Sequence, residues 1–182
     1  SVIFGWELSD SQWRPQQHVV SSLTRAEVPT TCKQLRSFIG AYKQLNPCIP
    51  SYGILLAPFE KVLASRASAE RINWTDSLLK SFKDLKEAAA DPKGIYVPKQ
   101  EDRLITSSDY STAHSAIGGA LHIIRQEQDK EVKLLGGHFS ATLDKNQSRW
   151  LACECEALAI KRVLNHFEPE IRGSDHTTTH QT

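Results

Sequence analysis

The main change in the hydrophobic pattern of these 182 residues falls at Asp91-Pro92-Lys93-Gly94. From Thr30 to that break apolar residues recur every three or four positions, as on helices; from Ile95 they follow strand-like patterns, until one long helical stretch at about 147–167. A chain divided in this way is expected to be α+β, with a helical part first and a mixed sheet carrying one long packed helix after it. Residues 2–8 and 17–23 flank a Ser-Asp-Ser turn and Pro15, which suggests a short hairpin or strand pair. A helix is expected from the Thr30-Thr31 cap to Asn46-Pro47, with Leu35, Phe38, Ile39, Tyr42 and Leu45 on one stripe. A second covers 52–65, interrupted early by Pro58, and a third covers 77–90, capped by Thr75. Trp74 reads as a packing anchor rather than a stacking platform for a base. Strands are expected at 104–109, 116–125 and 132–139, a long helix at about 147–167, and a last strand at 176–182. Gly118-Gly119 and Gly136-Gly137 within strands suggest bulges or close backbone approach, and residues 126–131 a solvated hairpin loop.

Two acidic residues stand out. At about 100° per residue, Glu156 shares its helical face with Ala152, Ala159, Ile160, Val163 and Phe167, while Glu154 points the other way beside Lys161 and Asn165. A carboxylate on a buried stripe needs a partner, a proton or a cation. Asp109 closes the strand that begins near Leu104. A strand end and a helix face could bring the two carboxylates onto one divalent cation, Mg²⁺ above all where phosphate is the substrate. The residues alone leave the alternative open that Asp109 starts a turn and Glu156 pairs with a nearby base.

Composition sets limits on function. The chain is 40% hydrophobic and 24% charged, an ordinary globular balance, and it contains no methionine. Its formal charge of +1 gives no overall basic footprint, so nucleic-acid contact must be local. Lys33, Arg36 and Lys43 lie opposite the apolar stripe of the first long helix, a row suited to phosphate backbones or simply to solvent. Cys32, Cys48, Cys153 and Cys155 lack CxxC spacing and read as reduced thiols, with Cys153 and Cys155 on different sides of one helix. The seven histidines form no metal-binding repeat. No membrane span or signal peptide is evident, which points to an intracellular protein, cytoplasmic or nuclear.

A series of short motifs completes the reading. They run Phe4-Gly5-Trp6 with Arg14-Pro15, the stretch from Pro29 through Cys32 and Phe38 to Tyr42, Leu56-Ala57-Pro58-Phe59 and Trp74-Thr75. Ala88-Ala89-Ala90-Asp91-Pro92, Ser108-Asp109-Tyr110-Ser111, and Glu154-Cys155-Glu156-Ala157-Leu158-Ala159-Ile160 with His166-Phe167 follow. In this order they resemble the pol polyprotein of a long-terminal-repeat retrotransposon, from the end of the reverse transcriptase palm through thumb and connection into ribonuclease H. The resemblance implies palm at 1–24, helical thumb at 25–72, a connecting helix at 73–94 and a truncated ribonuclease H-like domain at 95–182. It implies that Asp109 and Glu156 are catalytic, Mg²⁺-ligating carboxylates of an endonuclease that cuts the RNA strand of RNA–DNA hybrids. The family's third carboxylate closes a strand in a Thr-Asp pair and would follow Thr182, since Asp175 precedes the strand. With no Tyr-x-Asp-Asp motif in the chain, the polymerase aspartates of the reverse transcriptase would lie upstream of Ser1. The implied partners are a hybrid or template-primer nucleic acid and the remainder of the polyprotein, and the piece alone is expected to be inactive. A domesticated, non-catalytic nucleic-acid-binding module or a structural connection module are the other readings.

Overall fold

The computed structural model of the chain describes residues 2–173 and 179–181. Its architecture is α+β, with a helical body leading into a sheet packed on a long helix. The chain opens with β1 (Val2–Ile3), β2 (Trp6–Ser9) and β3 (Gln12–Pro15), paired antiparallel. Asp10 and Ser11 both have positive φ, 50° and 63°, which gives the two-residue turn the hand that matches the twist of its strands. Residues after Pro15 depart from the expected strand: Gln17–Thr24 is helix α1. Val20 and Leu23, three positions apart, bury on one side of it, a spacing that a helix can use and a strand cannot.

Helix α2 (Cys32–Tyr42) starts where the cap places it, the Thr31 hydroxyl accepting from the Gln34 N–H at 3.3 Å. Leu35, Phe38, Ile39 and Tyr42 are buried, and a 3₁₀ segment (Lys43–Cys48) carries Leu45 into the same core despite Pro47. Helix α3 (Tyr52–Leu63) runs through Pro58, which sacrifices one backbone hydrogen bond but keeps Leu56 and Phe59 on the buried side. Helix α4 (Asp76–Ala90) begins at Thr75, whose hydroxyl accepts from the Leu78 N–H at 3.2 Å. The helical core gathers these faces, with the Tyr42 hydroxyl donating to the Leu85 carbonyl at 3.0 Å. Trp74 anchors packing, as expected: its indole N–H donates to the Pro29 carbonyl at 2.6 Å and its ring lies 5.5 Å from that of Phe82.

Strand β4 (Ile95–Tyr96) returns to the first sheet and pairs with β3. The second sheet has the order β7-β6-β5-β8, built from β5 (Arg103–Ser111), β6 (Ala116–Glu127), β7 (Lys130–Thr142) and β8 (Thr179–Gln181). The first three are antiparallel neighbours and β8 is parallel to β5, which makes the sheet mixed. Residues 176–178 and 182 of the expected last strand, and Asp175, lie outside the described residues. The expected loop at 126–131 tightens to a turn at Gln128-Asp129, both with positive φ, so the strands run further than their apolar residues do.

Both glycine pairs have structural reasons. Leu121 faces Gly137 and His122 faces Leu135, so Gly136 is the extra residue of a bulge. A Cβ on Gly119 would collide with the Ser107 carbonyl oxygen and the Val163 side chain. Val163 belongs to helix α5 (Ala152–His166), which buries Cys155, Ala159 and Val163 against the sheet. Leu104, Leu121 and Ile123 meet Val163 and Phe167 in this second core. The expected helix start at 147 is instead a 3₁₀ turn (Gln147–Arg149), and α5 begins after the extended Trp150 and Leu151. A short α6 (Glu168–Arg172) follows. The two bodies meet where α3 packs on β7, with the Gly53 N–H donating to the Ser140 hydroxyl at 2.9 Å. Among the described residues no helix is long and apolar enough to cross a membrane.

Candidate active site

Asp109 sits near the end of β5, opposite Gly118 of β6, and is exposed. Its Oδ1 accepts the N–H of Tyr110 at 2.9 Å. Alternation along β5 puts Leu104, Thr106 and Ser108 on the buried side, with Ser108 opposite the Gly119 that abuts Val163. Asp109 therefore lies on the other side of the strand, where it lines a cavity of about 190 Å³ with Ser51, Ile54, His138 and Ser140. That cavity joins the sheet to the first turn of α3, whose N-terminal end favours a nearby negative charge.

Glu156 differs from expectation. It is exposed, not buried, while Cys155, Ala159, Val163 and Phe167 form the covered stripe. The helical angle was sound, since Glu156 lies between those residues on the wheel, but cover on that side begins only at Ala159; Ala152 is exposed as well. Cys155 is enclosed from the other side, its thiol 3.7 Å from the Gln147 carbonyl. Glu156 thus carries no burial cost, and the argument that a buried charge demands a cation does not apply to it.

The residues that touch are the neighbours of the two acids. Tyr110 contacts Cys155, and this contact with the thiol, followed by burial, raises the Tyr110 pKa above its ordinary value. Asp109 and Glu156 do not line a common cavity. Among the described residues neither has an ion-pair partner, and no group of three or more His, Cys, Asp or Glu side chains is arranged to hold a metal. As hard, solvent-open oxygen donors the two carboxylates fit Mg²⁺ in kind, though two ligands fall short of a closed site.

The basic row on α2 is largely engaged within the protein. Arg36 donates to the carbonyls of Arg66 at 2.6 Å and Leu63 at 3.2 Å, closing the end of α3, and to the Ser68 hydroxyl at 3.4 Å. Lys43 lies 3.8 Å from Glu60, and Lys33 is exposed. Cys153 is exposed and Cys155 buried, on different sides of α5 as read, and all four thiols are free.

One feature went unread in the sequence. Arg125 and Asp102 form a buried pair, with Nη2 2.7 Å from Oδ2 and Nε 3.0 Å from Oδ1, and the Lys99 N–H adds a bond at 2.8 Å. Burial alone would raise the Asp102 pKa, but hydrogen bonds from Arg125 and the Lys99 N–H, with the nearby positive charges, outweigh it and hold the carboxyl below its ordinary range. The signal is the hairpin register: once Arg103 faces Ile124, Asp102 falls opposite Arg125.

A family model described as an RNase H-like domain found in reverse transcriptase matches residues 74–179. The chain belongs to this family. Asp109 and Glu156 both fall within the RNase H-like match. The Tf2-3 and Tf2-4 transposon polyproteins of Schizosaccharomyces pombe (strain 972 / ATCC 24843) are each 23% identical over 163 residues, 90% of this chain. The chain spans only 12% of the length of these polyproteins. The foamy viral protease-reverse transcriptase, solved in complex with RNA/DNA hybrid, superposes with a TM-score of 0.80 at 10% identity, covering 99% of this chain and 23% of that one. Its complex with dsDNA gives 0.79 at 10% identity, over 99% of this chain and 36% of that one. At this identity the likeness concerns the fold, and it extends from the RNase H-like sheet through the helical body.

Proposed function

We propose that the chain is part of a retroelement reverse transcriptase/ribonuclease H whose parent copies RNA into DNA and cleaves RNA in RNA–DNA hybrids. In this reading residues 1–24 end the palm, 25–72 form the thumb, 73–94 the connecting helix and 95–182 the nuclease domain. The similarity to transposon polyproteins supports the context, and the nucleic-acid complexes of the similarly folded foamy viral enzyme support the partner. The observation that carries the assignment is the RNase H-like family match over residues 74–179, within which both acids lie open to water and, among the described residues, without ion pairs. Asp109 and Glu156 would hold Mg²⁺. When bound, the metal supplies an activated water and neutralises charge on the phosphate and the leaving oxygen. The chain's own contribution is to fix Asp109 through its strand pairing and the Tyr110 N–H, and to present Glu156 from a helix locked by its Cys155, Ala159 and Val163 face.

A third carboxylate has a place in this scheme. Strand β8 advances beside β5 one residue at a time, Thr179 beside Ile105 and Gln181 beside Ser107. The same register continued would bring the position two residues beyond Gln181 next to Asp109. We expect an acid there in the longer protein and no hybrid cleavage by residues 1–182 alone. The test is hydrolysis of a labelled RNA–DNA hybrid with Mg²⁺. A longer protein that adds the following strand residues should cut the RNA strand and lose the activity as Asp109→Asn. Cleavage by the 182-residue chain, or cleavage that survives Asp109→Asn, contradicts the assignment. Lys33 and Lys43 remain proposed backbone contacts; Arg36, bound to the end of α3, would join them only by giving up those bonds.

A further inference from the structure

A cleft of about 480 Å³ lies where the first sheet meets the second, and neither of the two acids lines it, although His138 borders both this cleft and the Asp109 cavity. Arg14 of β3, Lys93 of the link between α4 and β4, Lys133 and His138 of β7, and His122 of β6 line it. Three permanent cations and two imidazoles thus surround one space in a chain whose formal charge is only +1. Among the described residues Asp91 is the one acidic residue on its wall, and it is bonded to Lys93 at 3.1 Å. Arg14 gives its Nε to the Gln12 side chain at 2.9 Å, and Lys133 and the terminal nitrogens of Arg14 have no carboxylate partner among the described residues.

Like charges gathered around a cleft repel one another, and an anion seated among them removes that repulsion. Guanidinium, ammonium and imidazole N–H groups together match the oxygens of a phosphate, the guanidinium by a planar fork and the ammonium by a point charge. The two histidines form part of the wall. Both are half-buried, and burial first, then the charge of Lys133 on His122 and of His122 on His138, holds their pKa values below the ordinary one. Tyr96 faces the cleft as well, and His138 also borders the smaller cavity that holds Asp109.

The geometry points to this cleft as a phosphate-binding site that takes a phosphodiester of a nucleic-acid backbone on Arg14, Lys93 and Lys133, with His122 and His138 beside it. The choice of a phosphodiester rests on the proposed role with nucleic acid; the site itself rests on the charge arrangement. Neither Asp109 nor Glu156 takes part, so the cleft would position a duplex rather than act on it.

The experiment titrates the 182-residue chain with a short DNA duplex, and separately with inorganic phosphate, while following the ring resonances of His122 and His138 by NMR. The duplex should move both resonances and raise both imidazole pKa values, because an anion favours the charged form. The double substitution Arg14→Gln with Lys133→Gln should abolish these changes and reduce the slope of log affinity against log salt by roughly two. Lys83→Gln, an exposed charge outside the cleft, should leave the resonance changes intact. A duplex that binds with both histidines silent and with an unchanged salt slope in the double variant overturns the site while leaving nucleic-acid binding in place. Resonances moved by inorganic phosphate but not by the duplex overturn the phosphodiester assignment. Failure of any duplex to bind overturns this proposal and the wider role together.

Discussion

Asp102 and Arg125 show how far a single pair can matter in this protein. The carboxylate is 3% exposed and accepts bonds from the guanidinium Nε and Nη2 and from the Lys99 N–H, so Asp102→Asn leaves a cation buried without its counter-charge. Breaking such a pair from one side costs about 3–5 kcal/mol, which urea denaturation at neutral pH would read directly. Because the folded Asp102 pKa is depressed, its contribution is present above the ordinary carboxylate value of about 3.9 and is lost as pH falls through the folded value. Histidines act at higher pH in the same direction. Burial lowers the pKa of His122, His138 and His166, the last with its ring centroid 4.8 Å from those of Phe139 and Phe167. The unfolded chain then binds more protons, so stability should be full above about pH 6.5 and decline as pH falls below it, a trend that denaturation midpoints from pH 8 to 5 would reveal. Caps at Thr31 and Thr75 were legible because each depends on residues within a few positions, and the packing role of Trp74 because a large aromatic ring buries itself by default, although its partners Pro29 and Phe82 lie farther along the chain. The Asp102 pair was not, since its partner is fixed only by strand register, and the burial of Glu156 was misread because a helical angle says which way a side chain points and not whether anything covers it.

Elements were readable where their periodicity was long. Helices α2, α3 and α4 and the strands of the second sheet lie close to the stretches that their apolar spacing marks out, whereas α1 and the start of α5 do not. Helix α1 has only eight residues, and its two apolar contacts fit a helix only because a second helix lies beside it. Gly119 is a tight joint between elements, with α5 pressed against β6 at a point where any side chain would strike backbone on one side and Val163 on the other. Gly119→Ala should therefore cost about 1–3 kcal/mol in denaturant midpoint measurements, as overpacking does. Adding Val163→Ala should recover part of that loss and not all of it, because the Ser107 carbonyl cannot move away as a side chain can; full additivity of the two changes would contradict this account of the joint.

At the scale of the whole molecule, two cores meet through α3 and β7, and β4 ties the end of the helical body back to the opening hairpin. That tie was invisible in the sequence: a two-residue strand has no period, and its partner β3 lies far back, near the start of the chain. The candidate site depends on the same long-range assembly. Asp109 and Glu156 were identified by local pattern and by motif, the structure shows both open to water, and a cation shared between them is what we propose. Mn²⁺ affinity, read by electron paramagnetic resonance in the longer protein that includes the residues after Thr182, tests it directly through a double-mutant cycle. The account predicts that Asp109→Asn and Glu156→Gln each weaken binding about tenfold or more, about 1.4 kcal/mol, that together they weaken it far less than the product of the two, and that Glu154→Gln changes nothing. Unaltered affinity in Glu156→Gln, or losses that multiply as if from separate ions, would contradict it.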